Sequence, residues 1–277
     1  MKGQAQILVT KGEDGRSRFR QLRSCAALAL RRCGNTIYLV SGAANPIGGD
    51  DLSLQVEVGP GASLEIRGVG AALARPDPAG RWSHSRVAVT LAEGASLLWS
   101  PPPGISAKNS RHRSQVEISV ATGASLWWHE GVVLGRVGEP SGLWQSSFTV
   151  ARNGRTIFRQ ANTLGDPAGG LEGPAVTGGA HVIATVLGIG VIPDAAGIGV
   201  PSSDRMARTL DEPDAKATAM TLATGTDIVA TALAQSEPDA RRLASSAAAM
   251  LLESTSSTFR SVHGITCDRP EWDKSLT

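Results

Sequence analysis

Leu52-Ser53-Leu54-Gln55-Val56-Glu57-Val58-Gly59-Pro60-Gly61-Ala62-Ser63-Leu64-Glu65-Ile66 carries the pattern from which the fold is read. Leu52, Leu54, Val56 and Val58 alternate with polar residues, so they share one face of a strand. Gly61 can take the positive φ of a chain reversal, which other residues adopt only at a cost. Leu64 and Ile66 open a second apolar run. The same motif returns as Gly94-Ala95-Ser96-Leu97 and Gly123-Ala124-Ser125-Leu126. Val87, Val89 and Leu91 precede the second copy; Val116, Ile118 and Val120 precede the third. Leu97, Leu98 and Trp99, then Leu126, Trp127 and Trp128, follow them. The unit is strand, tight turn, strand, repeated about every thirty residues. One such pair is marginal alone, whereas stacked copies bury a continuous core. The expected class is all-β: layered sheets of stacked hairpins, solenoid- or sandwich-like, with one or two α-helices.

Two further hairpins are expected downstream. Phe148-Thr149-Val150 and Thr156-Ile157-Phe158 flank Arg152-Asn153-Gly154, and Asn-Gly suits a two-residue turn. Ala217 to Leu222 and Ile228 to Leu233 flank Thr224-Gly225-Thr226. Pro238-Asp239 starts a helix over Ala240 to Ser254, with Leu243, Ala247, Met250 and Leu251 as an apolar stripe that packs on the sheet. Between Gly165 and Asp214 the chain reads as loop, with Pro167-Ala168-Gly169-Gly170, Gly188-Ile189-Gly190 and Gly197-Ile198-Gly199, interrupted by a strand from His181 to Leu187. No stretch reads as a linker, so residues 1–277 are expected to form a single domain.

Composition narrows the function classes. The hydrophobic share is 41% and the charged share 19%, which is globular. A net charge of +2 gives no strong field for nucleic acid or an anionic membrane, and 4% aromatics leave few stacking platforms. Cys25, Cys33 and Cys267 form no Cys-x-x-Cys pair, so neither a zinc knuckle nor a thioredoxin-type site is written. The opening Met1 to Val9 has no long apolar run, and no segment reaches the length of a membrane span. The expectation is a cytoplasmic protein with free thiols.

Candidate chemistry is sparse. A P-loop is absent, Gly188-Ile189-Gly190 lacks a third glycine, and there is no Gly-x-Ser-x-Gly elbow. Of His84, His112, His129, His181 and His263, none pairs with another at helical or hairpin spacing. His129-Glu130 follows two tryptophans at an expected strand end, and is either a surface turn or a transient divalent-metal contact. Ser41 to Asp51 holds Gly48-Gly49-Asp50-Asp51: either a turn with Asp50 bonding nearby amides, or a carboxylate pointed inward. Gly135-Arg136-Val137-Gly138-Glu139 can close an ion pair across a loop.

The order of these features resembles the urease accessory protein UreD (UreH) family. Tyr38 to Ser41, Gly48-Gly49-Asp50 and Leu52 to Val56 resemble its Gly-Gly-Asp segment, and Gly59 to Leu64 its following turn. Gly94 to Pro101 is similar to its strand ending in Trp-x-Pro, and Leu134 to Glu139 to its Gly-Arg-x-x-Gly-Glu. Asn153-Gly154-Arg155 falls at its polar hairpin. The resemblance covers Tyr38 to Leu164, and more loosely the C-terminal helix. It implies a non-enzymatic maturation scaffold that bridges UreF-like and UreG-like (GTPase) accessory proteins to urease structural subunits and assists nickel insertion. It implies no tightly bound cofactor, nickel met only transiently, and Asp50 and Glu139 as the polar lining nickel meets. The chain departs from the family pattern at Ile66 to Ala74, at Ala43 to Pro46 and at Pro101-Pro102-Pro103. The competing reading is a carbohydrate-active or carbohydrate-binding solenoid or sandwich, which needs two carboxylates across one cleft.

Overall fold

The structure, a computed structural model, describes residues 1–165, 170–174, 176–190, 207–212, 215–222, 224 and 227–255, apart from the side chains of residues 207, 208, 250 and 252–255. In chain order the strands are β1 (Lys2–Lys11), β2 (Ser17–Arg23), β3 (Leu28–Cys33), β4 (Thr36–Ser41), β5 (Asp51–Val58), β6 (Ser63–Gly68) and β7 (Ala72–Ala74). Next come β8 (Ser83–Leu91), β9 (Ser96–Ser100), β10 (Gly104–Ser106), β11 (Arg111–Val120), β12 (Ser125–Leu134), β13 (Leu143–Arg152) and β14 (Arg155–Leu164). The chain continues with β15 (Val182–Ile189), β16 (Ala207–Glu212), β17 (Ala215–Thr221), β18 (Ile228–Ala234) and the helix α1 (Glu237–Thr255).

Two sheets face each other. The seven-stranded sheet runs β14-β13-β11-β8-β5-β1-β2, and the eleven-stranded one runs β16-β17-β18-β15-β12-β9-β6-β4-β3, with β10 and β7 attached beside β12. The layered, solenoid-like all-β class is as the repeat implies. Its turn works differently from a hairpin. The strands flanking each Gly-Ala-Ser-Leu do not pair with each other: β5 pairs with β1 and β8, while β6 pairs with β4 and β9. Each turn is an arch from one sheet to the other. The reason is burial. The strands on both sides of the turn carry an apolar face, and an arch points those faces at each other across the core.

The backbone is satisfied by the next copy instead, in parallel and in register. Leu54, Val56 and Val58 stand beside Val87, Val89 and Leu91, which stand beside Val116, Ile118 and Val120. Opposite, Leu64, Leu97 and Leu126 form one row, and Ile66, Trp99 and Trp128 the next. Gly61, Gly94 and Gly123 all have positive φ and stack as a column, with Ala62, Ala95 and Ala124 buried beneath them. Each Val or Leu in these rows contributes about 1.5–3 kcal/mol when fully buried.

The downstream expectations hold except in the stretch read as loop before Asp214, where β16 adds a strand paired with β17. Asn153 and Gly154, both at positive φ, turn β13 into the antiparallel β14. β17 and β18 pair as expected, although Gly225 and Thr226 lie outside the described residues, as do Pro167 to Gly169 and Gly197 to Gly199. Ser236 caps α1: its Oγ accepts the Asp239 amide at 3.3 Å and donates to the Asp239 carboxylate at 2.6 Å. Leu243, Ala247 and Leu251 pack against alanines of β17 and β18, whose small side chains let the helix come close; Met250's side chain is outside those described. Among the described residues no helix is long and apolar enough to cross a membrane.

Candidate functional site

Three consecutive strands of the seven-stranded sheet, β8, β11 and β13, change character along their length. Near the arch their inward residues are apolar; farther along they turn polar. Val87 and Val89 give way to Ser85 and Ser83, Val116 and Ile118 to Ser114 and His112, and Phe148 and Val150 to Ser146. Parallel register aligns these substitutions, so Ser85, Ser114, Ser146 and Asn162 form one row. They leave a cavity of about 240 Å³ between the sheets. Its far wall is built by Trp99, Trp128 and Glu130, with Asn45, Pro46, Pro101 and Pro102 at its margin. The two indoles stack face to face at 4.3 Å because Trp99 and Trp128 are register partners.

Glu130 is the carboxylate of this cavity. Burial pushes its carboxyl up, only partly offset by the Trp128 indole N–H, which donates to Oε2 at 3.2 Å. His112 lies across from it, buried, tilted against Trp144 at 4.4 Å. Its Nδ1 is 2.8 Å from Ser83 Oγ and its Nε2 3.0 Å from Ser85 Oγ. Burial, then the nearby His84, lowers its pKa to about 3, so the ring is neutral and held by two hydroxyls. Trp144 Nε1 is buried and has no partner among the described residues.

The residues singled out from sequence do not meet at one point. His129 and Glu130 are neighbours inside β12 rather than at its end, so they point to opposite faces of the sheet. His129 lies under α1, buried, with neither ring nitrogen bonded among the described residues. Burial, then the charge of Arg241, takes its pKa down to about 3. Asp50 sits in the Gly48-Gly49 turn, as the turn reading has it. Its Oδ2 accepts the Ile47 amide at 2.9 Å and its Oδ1 faces the Met1 amino group. Burial opposes its charge, but those two donors outweigh burial and hold the carboxyl below the usual range.

Glu139 closes the Gly135–Glu139 loop. It grips Arg136 with both oxygens, at 2.7 and 2.8 Å, and accepts the Lys108 amide at 3.2 Å. The Arg136 guanidinium, outweighing a smaller burial effect, brings its pKa to about 2. It borders a separate cavity of about 410 Å³ with His181. Each carboxylate is thus tied into its own loop, and the pair does not span a cleft as a glycosidase requires. Among the described residues no three His, Cys, Asp or Glu side chains converge on one metal position. Sequence reading missed His112 and the serine row. The signal was present: the inward positions of three consecutive strands turn polar at matching places.

Comparison with known proteins places this architecture. A family model described as UreD urease accessory protein matches residues 1–260. Urease accessory protein UreD 2 of Saccharopolyspora erythraea is 35% identical over 237 residues, covering 86% of this chain and 80% of the relative. Urease accessory protein UreD of Parafrankia sp. is 31% identical over 212 residues, covering 68% and 71%. The protein of that name from Frankia casuarinae is 30% identical over 237 residues, covering 74% and 73%. With a family match over residues 1–260 and relatives at least 30% identical over most of their length, the chain belongs to the UreD urease accessory protein family.

Proposed function

We propose that this chain is a single-domain, non-catalytic adaptor of urease maturation in the cytoplasm. It joins UreF-like and UreG-like accessory proteins to urease structural subunits and gives nickel, as cargo, a brief polar resting place. GTP hydrolysis belongs to the UreG-like partner. The observation that supports this reading is the cavity between the sheets, with Glu130 on one wall and the serine row on the other. A carboxylate binds a divalent cation without the tightness of thiolates. A carboxyl whose pKa is raised by burial takes a proton back readily, which favours release over storage. Asp50 and Glu139 serve indirectly in this proposal. Asp50 fixes the turn whose Asn45 and Pro46 border the cavity, and Glu139 fixes the loop beside the second cavity.

Glu130→Gln tests it. The amide oxygen still accepts the Trp128 N–H, while the charge is gone. In cells lacking the native copy, nickel per urease molecule is expected to fall several-fold at unchanged levels of this chain and unchanged recovery of the partner complex. Normal nickel content in that urease would remove Glu130 from the path.

A further inference from the structure

The modest net charge hides an uneven distribution. Residues 1–33 hold eight basic and two acidic residues, in a chain whose total is +2. The fold concentrates that excess at one flank. β2 is the outermost strand of one sheet and β3 the outermost strand of the other. Arg32 of β3 reaches across the gap and lies over the Phe19 ring of β2 at 4.4 Å, joining the two edges. Arg16, Arg18, Arg20 and Arg32 line one surface cleft of about 420 Å³, with Asp14 as its acidic residue. All four arginines are exposed. Asp14 takes up Arg18 at 3.2 Å, Arg20 Nε donates to Thr10 Oγ1 at 2.9 Å, and Arg32 Nε donates to the Gly34 carbonyl at 2.8 Å. The Arg16 side chain has no partner among the described residues.

We infer that this arginine flank is a docking surface for an acidic segment of a partner protein. Three of the four guanidinium groups are anchored by one donor and leave others directed outward, in the fork geometry that suits carboxylates. A second copy of this chain would meet the same positive charge and be repelled. A nucleic acid would want bare aromatic faces, and Phe19 is covered by Arg32. Exposed charges of this kind act mainly on the rate of encounter, so binding should depend steeply on salt. The inference does not rest on the nickel passage, because the flank and the cavity share none of their lining residues.

The test uses the full chain and a fluorescein-labelled Asp/Glu peptide, followed by anisotropy at about 50 mM and about 300 mM salt. Binding is expected at low salt, with a loss of about tenfold at high salt. Arg16→Glu/Arg20→Glu/Arg32→Glu should weaken it by about tenfold, and the matching triple lysine variant should restore most of it. If the glutamate triple does not fold, Arg16→Glu alone carries the test, since that side chain makes no contact to lose. Peptide binding unaffected by these changes would overturn the inference. So would a labelled oligonucleotide of equal charge binding more tightly than the peptide, which would mark a general polyanion surface.

Discussion

Asp227 is fully buried and has every near bond accounted for. Oδ1 accepts from Arg152 at 2.8 Å and from the Gly190 amide at 2.9 Å, and Oδ2 accepts the Thr224 hydroxyl at 2.7 Å. Arg152 ends β13 in one sheet and Gly190 follows β15 in the other, so one carboxylate ties the layers together at the arch end. Removing it leaves Arg152 half-buried and unpaired. Asp227→Ala is therefore expected to lower unfolding free energy by about 3 kcal/mol, measured by urea titration. A loss below about 0.5 kcal/mol, the usual value for an exposed pair, would show that the tie carries nothing. Residues of this kind were illegible in sequence. An aspartate in a turn shows its charge there, and only the fold shows which arginine stands opposite. Asp50 makes the same point: the turn reading and the inward-carboxylate reading were both open until its two donors were located.

At the scale of the element, α1 and the sheet beneath it form the second core. The helix itself was legible from Pro238-Asp239 and its stripe, because 3.6-residue periodicity and a capping residue are local signals. What it covers was not. His129 was assigned to a strand end beside Glu130, yet β12 runs on to Leu134 and turns the imidazole under the helix, close to Arg241. Arg241 is held there by Glu237 at 2.7 Å, Ser100 Oγ at 2.8 Å and the Pro101 carbonyl at 2.9 Å. The ring's folded pKa of about 3 lies below its ordinary 6.5, so the unfolded chain binds the proton more readily. Stability from the neutral ring is complete above pH 6.5 and drains away as pH falls from 6.5 toward 3. His112 carries the same sign in the first core. His129→Leu should flatten the acid side of the stability–pH curve while changing little at neutral pH. A variant with an unchanged acid slope would contradict this account.

For the whole molecule, the alternation of apolar residues named the inward face of nearly every central strand, and with it the all-β class. It did not say which strand each would pair with. Period-two patterning is the same for a hairpin and for an arch, and the choice between them is made by burial across the core rather than by anything local. The third layer follows the same logic. α1 covers an alanine-lined face of β15, β17 and β18. A chain ended after Ala234 would expose that face as one apolar patch, and is expected to elute as large aggregates in size-exclusion chromatography where the full chain does not. A truncated chain of unchanged elution would mean that the helix is dispensable cover.

The column of Gly61, Gly94 and Gly123 has one more consequence. Successive copies are locked together at the arches, where each added residue would shift every inward side chain outward. The return paths at the opposite end obey no such rule. The one from β6 to β8 carries β7 and the Asp77–Arg81 loop, while the one from β9 to β11 carries only β10 and a short turn. Insertions and deletions can therefore accumulate at one pole of the molecule without disturbing the other. Asn45, Pro46, Pro101 and Pro102, which line the cavity, lie on return paths at that permissive pole. The residues there are free to diverge from relative to relative, while the ladder that folds the chain stays constant.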